Sequence, residues 1–330
     1  MVKRAFPLFF LILLFLCLSC HPSGCSDGAL SPEDGAISKG MGYLAGVQTG
    51  YGEFPTYISS SSGKEKLDST PFVTCFVLTA LLDVEDPRSG DIFDKGTSFL
   101  LSEQYPGGLW RYFGKRNNKK IVPDIDDMST ISFLLTRKGV RYDDNSAVIE
   151  GNRDSDGIYY TWVGTSENDI DSVVNANVAL WKKDIDDRLY DFLMSKLGDA
   201  DFSSYYVSRL AQHYMYARAY RLGASRLVGA GKKIIEDALK NYKGDGSFGS
   251  VMDTSFAANA LLDYGYSGAE VDAAVDFLLK KQNVDGSWSG DVFYKGPFNC
   301  GDRCAYFRSD SLATALTIEA IDKHRKGRLP

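Results

Sequence analysis

At 330 residues the chain has room for one large or two ordinary domains, and its 44% hydrophobic and 24% charged residues exclude a disordered polymer. A formal charge of −6, with a single short basic turn from Lys115 to Lys120, argues against nucleic acid and against an anionic membrane surface as partners.

Lys3 and Arg4 precede an apolar run from Ala5 to Leu18, too short to span a bilayer comfortably and suited to a signal peptide over residues 1–19. Leu18-Ser19-Cys20 resembles a bacterial lipobox, although Cys17 stands where that pattern has Leu. This makes Cys20 a lipidation site, residues 20–30 a flexible tether, and the protein an exported envelope lipoprotein anchored to a membrane. Cleavage after Ser19 with plain secretion, or an uncleaved anchor, are the alternatives. No later stretch is long and apolar enough to cross a membrane. Export permits disulfides among Cys25, Cys75, Cys300 and Cys304. Cys300 and Cys304 bracket a three-residue turn and read as a local bridge, whereas Cys75, inside an apolar helical run, reads as buried filler.

From there the chain repeats itself. Turns ending in Gly-x-aromatic recur at Gln48–Phe54, Gln104–Trp110, Asp156–Trp162, Gly198–Phe202, Gly244–Phe248 and Gln282–Trp288. Amphipathic helices precede most of them, as over 96–104 and 271–282. Helices apolar nearly all round follow, over 68–82, 126–135, 171–181, 203–220, 253–262 and 309–321. A helix without a wet face is buried, so six polar-faced outer helices and six apolar inner ones predict an all-α, closed (α/α)6 barrel across residues 31–326. Asp stands at the start of five inner helices, where N-caps belong. The third unit, over 140–162, is polar and Gly-containing, which predicts a short or broken outer helix and a functional loop.

The Gln-x-x-x-Gly-x-Trp turns at Gln104–Trp110 and Gln282–Trp288, with Asp124-Ile125-Asp126-Asp127, resemble the terpenoid cyclase and protein prenyltransferase superfamily, and within it the squalene-hopene cyclase-like branch. The resemblance spans nearly all of the chain after the leader and implies the same barrel. It implies that Trp110 and Trp288 brace helices and that Asp126 is the acid of a class II cyclase, tuned by Asp124 and Asp127. Protonating an alkene needs a carboxyl that keeps its proton near neutral pH, and crowded carboxyls in a dry setting do so. A helix cap without chemistry explains the same residues, and a second DIDD at Asp184–Asp187 heads an ordinary outer helix.

Trp110 and Tyr112 are candidate aromatic walls of a substrate pocket, joined by Asp171 and Asn175 on the third inner helix. Tyr206, Arg209 and His213 fall on one face of a helix over 203–220, which makes Tyr206 and His213 wall candidates too. No Cys/His spacing resembles a zinc site, and neither metal nor cofactor is implied. The leading reading is a metal-independent isomerase or cyclase, with a hydrophobic small molecule or lipid as partner and a deep apolar cavity behind Asp126. A non-catalytic binding lipoprotein and an exported glycan-active enzyme with opposed carboxylates are the alternatives.

Overall fold

The structure, a computed structural model, describes residues 30–59, 65–296 and 304–328. The leader, Cys20 with its tether to residue 29, Cys25 and Cys300 lie outside the described residues. Cys304 is disulfide-bonded and Cys75 is free and buried.

From Ser31 onward the chain forms one compact unit. Six buried helices are α2 (Pro71–Ala80), α4 (Ile125–Arg137), α6 (Ser172–Lys182), α8 (Arg209–Arg221), α10 (Val251–Asp263) and α12 (Asp310–Arg328). Each packs on the next, and α12 returns to pack on α2. Against them lie α1 (Pro32–Val47) on α12, α3 (Ser89–Glu103) on α2, α5 (Ser146–Gly151) on α4 and α7 (Asp187–Lys196) on α6. A 3-10 turn (Ser225–Ala230) and α9 (Gly231–Leu239) lie on α8, and α11 (Ala269–Lys280) packs on α10 and α12. The six-residue α5 is the short outer helix expected of the third unit. Small residues on the buried set let the helices close up: Ser129 and Ser132 on α4 and Ala257, Ala258 and Ala260 on α10 are all fully buried.

Caps explain where these helices begin, though not always with the acids expected. Asp124 accepts from the Asp127 N–H at 2.8 Å, and Asp171 accepts from Val173 and Val174. On α2 the cap is Thr70 with Pro71 behind it, and on α10 it is Ser250. Asp68 instead takes the Asn117 amide and Lys119, and Asp253 sits inside the first turn of its helix.

The recurring turn clamps neighbouring outer helices together. Gln48 donates both to Gly52 O and to Ile92 O of α3, at 3.0 Å each. Gln282 does the same between Gly286 O and Ala36 O of α1, which joins the last outer helix to the first. Gln104 exchanges bonds with the Asp143 backbone ahead of α5. The indoles of Trp110 and Trp288 donate back to Leu100 O and Leu278 O of the helix just completed, at 2.8 and 2.7 Å. The glycine of the turn has no substitute. Gly286 has φ +90°, and a Cβ there would meet Lys39 O at 2.5 Å. Gly286→Ala is expected to cost about 2 kcal/mol or more in chemical denaturation. Gly35→Ala, in α1 with open space around it, is expected to gain a few tenths to about 1 kcal/mol.

One element departs from an all-α chain. Strands β1 (Thr56–Ser59), β2 (Glu65–Asp68), β3 (Val292–Gly296) and β4 (Ala305–Arg308) form an antiparallel sheet in the order β2-β1-β4-β3. β2 leads into α2 and β4 into α12, so the sheet stands at the end of the unit where the buried helices begin. Strands of four or five residues, with a register shift between Val292 and Tyr294, leave little alternation to read. His324 is buried in α12 against Asp272 and Glu33.

Candidate active site

The Asp124–Asp127 stretch is pinned before its helix starts. Ile125 N–H donates to Thr161 O at 2.8 Å and Val163 N–H to Pro123 O at 2.9 Å, which puts the irregular third unit to work as a support for α4. All three carboxyls are buried. Asp124 is the cap and also accepts from the Tyr112 N–H at 3.2 Å. Asp126 points among the other buried helices. Its Oδ1 accepts from the Asn177 amide of α6 at 2.5 Å, and its Oδ2 from the Tyr206 hydroxyl at 2.7 Å. Asp127 accepts no hydrogen bond at either oxygen. Its surroundings suit a protonated carboxyl, whose proton can turn to Asp124 beside it.

The electrostatics follow from this burial. Desolvation lifts Asp124 to about 7, with the neighbouring Asp126 charge adding to the lift and the N–H of Asp127 opposing it. Desolvation also raises Asp126, while Asn177, Tyr206 and the charge of Arg218 pull it down. Asp127 is held well above the carboxylate range by burial and by both neighbouring acids. The second DIDD is its opposite: Asp184, Asp186 and Asp187 are exposed, Asp186 caps α7 and Asp187 pairs with Arg226.

Aromatic rings close over Asp126. Tyr294 of β3 stacks on Tyr112 at 5.2 Å and on Tyr205 at 5.7 Å, and meets Tyr206 edge-on at 5.5 Å. Phe72 of α2 stacks on Phe293 and touches Tyr206, and Phe307 of β4 meets Tyr112 edge-on. Where a deep apolar cavity is expected behind Asp126, these rings pack on one another. A cavity of about 720 Å³ opens instead where the buried helices end, lined by charged residues that include Arg221, Asp263, Glu319 and Lys323, and by none of the three acids.

The other candidates divide. Tyr112 and Tyr206 belong to this cluster. Tyr206 arrives from an extended segment bridged to Tyr294, because α8 starts only at Arg209, so the helical spacing drawn from Tyr206 to His213 does not exist. His213 faces away, its nearest charges being Asp237, Arg209 and Lys233, and burial pushes it down to about 4. Trp110 is committed to Leu100 and Tyr142 as a brace. Asp171 spends both oxygens on Val173, Val174, Ser203 and Ser204, and burial lifts it to about 6. Asn175 is satisfied by Tyr159 and the Asp171 carbonyl, and Asn177, roughly 200° further round the helix, reaches Asp126. Arg218, Tyr205, Tyr294 and Phe72 were not anticipated. The signal for Arg218 was available as a charged residue in an otherwise buried helix.

No protein-family model matches the sequence, and no curated protein matches it. Solved structures do. Type II terpene cyclase MstE from Scytonema, in its apo form, aligns with a TM-score of 0.73 at 17% identity, over 91% of this chain and 100% of that one. Its complex with geranylgeranyl dihydroxybenzoate, the substrate of that enzyme, aligns at 0.71 and 16%, over 88% and 97%. The ent-copalyl diphosphate synthase from Streptomyces platensis aligns at 0.58 and 15%, over 77% of this chain and 50% of that one. A possible GH105 family member from Salmonella enterica aligns at 0.55 and 12%, over 97% and 100%. The chain thus has a terpenoid cyclase-like fold.

Proposed function

We propose that the chain is a closed (α/α)6 barrel working as a class II terpenoid cyclase-like isomerase, in which Asp126 protonates the terminal alkene of an acyclic isoprenoid. The observation that carries this reading is the setting of Asp126: a buried carboxyl, raised above its ordinary range by desolvation, whose two oxygens already face the donors of Asn177 and Tyr206. Those donors stabilise the carboxylate that forms as the proton leaves, without reorganisation at that moment. The proton adds to the CH carbon of the terminal trisubstituted alkene and leaves a tertiary cation on its dimethyl-bearing carbon. Neighbouring double bonds close rings onto it, and loss of a proton from the last cation returns one proton per cycle, so the net change is isomerisation. The faces of Phe72, Tyr112, Tyr205, Tyr206 and Tyr294 suit such cations, and those rings shift aside as the isoprenoid enters. Asp124 holds α4 in register and Asp127 stores a proton beside it. No metal takes part in this chemistry.

An open groove with two opposed carboxylates would favour a glycan enzyme, and these acids lie together under rings. A lipid tether at Cys20 would hold the barrel at an envelope membrane, next to a source of hydrophobic substrates. The test is turnover of farnesyl- and geranylgeranyl-chain substrates in D2O. Cyclised product with one deuterium on the ring methylene made by the first protonation is the expected result. Absence of product across these chains, or unlabelled product, rejects the reading.

A further inference from the structure

Arg218 is the feature the proposed chemistry leaves unused. It lies on α8, 1% exposed, amid buried residues. Its Nη2 donates to Asn177 Oδ1 at 2.5 Å, and its guanidinium lies 4.5 Å from the Phe76 ring centroid and 5.6 Å from that of Tyr214. Its Nε has no hydrogen-bond partner. Asn177 spends its amide group on Asp126 and its carbonyl on Arg218, so a single side chain joins the cation to the acid. A buried guanidinium is costly unless a negative charge answers it. Of the α4 acids, it is Asp126 that the charge of Arg218 pulls down.

We propose that Arg218 is a positioning residue for Asp126, acting through Asn177 to stabilise the carboxylate that remains once the proton has been given up. The geometry separates two requirements of a strong acid. Burial favours the protonated form, and a fixed cation one amide away lowers the cost of letting the proton go. Asn177 also keeps the guanidinium from contacting the carboxyl directly, where a full ion pair would leave Asp126 ionised and useless as a donor. The other titratable groups that bear on Asp126 are Asp124 and Asp127 beside it, Tyr206 ahead of α8 and Tyr294 from β3. Among these Arg218 brings the positive charge.

The assignment rests on the acid role proposed for Asp126, but its test needs no substrate. The carboxylic-acid infrared band lost in Asp126→Asn is followed against pH in the full chain. In Arg218→Met its midpoint is expected to rise by one pH unit or more, a tenfold gain in proton affinity, and in Arg218→Lys to stay nearer the original value. An unmoved midpoint in folded Arg218→Met overturns the proposal. If that variant does not fold, Arg218→Gln decides the matter: it keeps a donor for Asn177 and removes the cation, so a rise of half a unit or more supports the assignment and no rise overturns it. A shifted midpoint in a protein that cyclises nothing would leave the relay standing and sink the catalytic reading alone.

Discussion

Asp126→Asn is expected to lower cyclisation by about 10²–10⁴-fold, the span that a positioned general acid contributes. The substitution keeps the shape of the side chain and takes away the transferable proton. It also disturbs one contact. The new amide can turn its oxygen to Tyr206 or to Asn177, and whichever way it turns, one donor on Asp126 loses its acceptor. A flip of Asn177 would mend that pair and deprive Arg218 of its acceptor in turn. A modest stability loss is therefore expected alongside the catalytic one, and the rates must be compared at a temperature where both proteins are folded. Asp184→Asn is the control, because it alters the same four-letter motif where it is exposed. Its turnover should match the parent protein. Equal product from Asp126→Asn and the parent would end the case for this acid.

How far the residues alone reach is best seen by setting the two DIDD stretches side by side. Their sequences are identical, and nothing local tells a buried cluster from an exposed cap. What separates them is the helix behind: one is small and apolar on all faces, the other charged, and that contrast was legible. The six helical pairs were legible for the same reason, since burial leaves a 3.6-residue pattern or erases it altogether. The sheet was not, because strands this short gain their order from Tyr57, Phe307 and Tyr294 meeting partners far away in sequence. With the sheet come Phe293 and Tyr294, which β3 carries into the aromatic cluster. Tyr206 and His213 share no helical face, since α8 begins only at Arg209, and the spacing between them in sequence says nothing of their sides. Asn175 and Asn177 differ only by helical phase, and two residues of phase decide which one braces a loop and which meets the acid.

Alkaline pH should weaken the fold through the same cluster. A carboxyl whose folded pKa is raised adds stability that is complete below its unfolded value, roughly 3.9 for Asp, and is lost as pH climbs through the folded one. Asp171, at about 6, Asp124, at about 7, and Asp126 and Asp127, raised as well, all act in this direction. His213, at about 4, acts in the other, since its neutral ring must charge on unfolding below roughly pH 6.5. Above that pH its contribution is level, so the window from pH 6.5 to 8.5 isolates the acids. There, stability to urea is expected to fall by about 1.4 kcal/mol per pH unit for each proton the folded chain retains and the unfolded chain has released. Asp127→Asn removes one of these raised carboxyls, so it should flatten the slope and leave the variant more stable than the parent at pH 8.5. The gain is expected because Asp127 gives up no hydrogen bond that it accepts, and a carboxamide in its place can still donate to Asp124. Stability that rises across this window, or an unchanged slope in Asp127→Asn, would mean that these carboxyls are already ionised in the folded chain, and an acid without its proton cannot start a cyclisation.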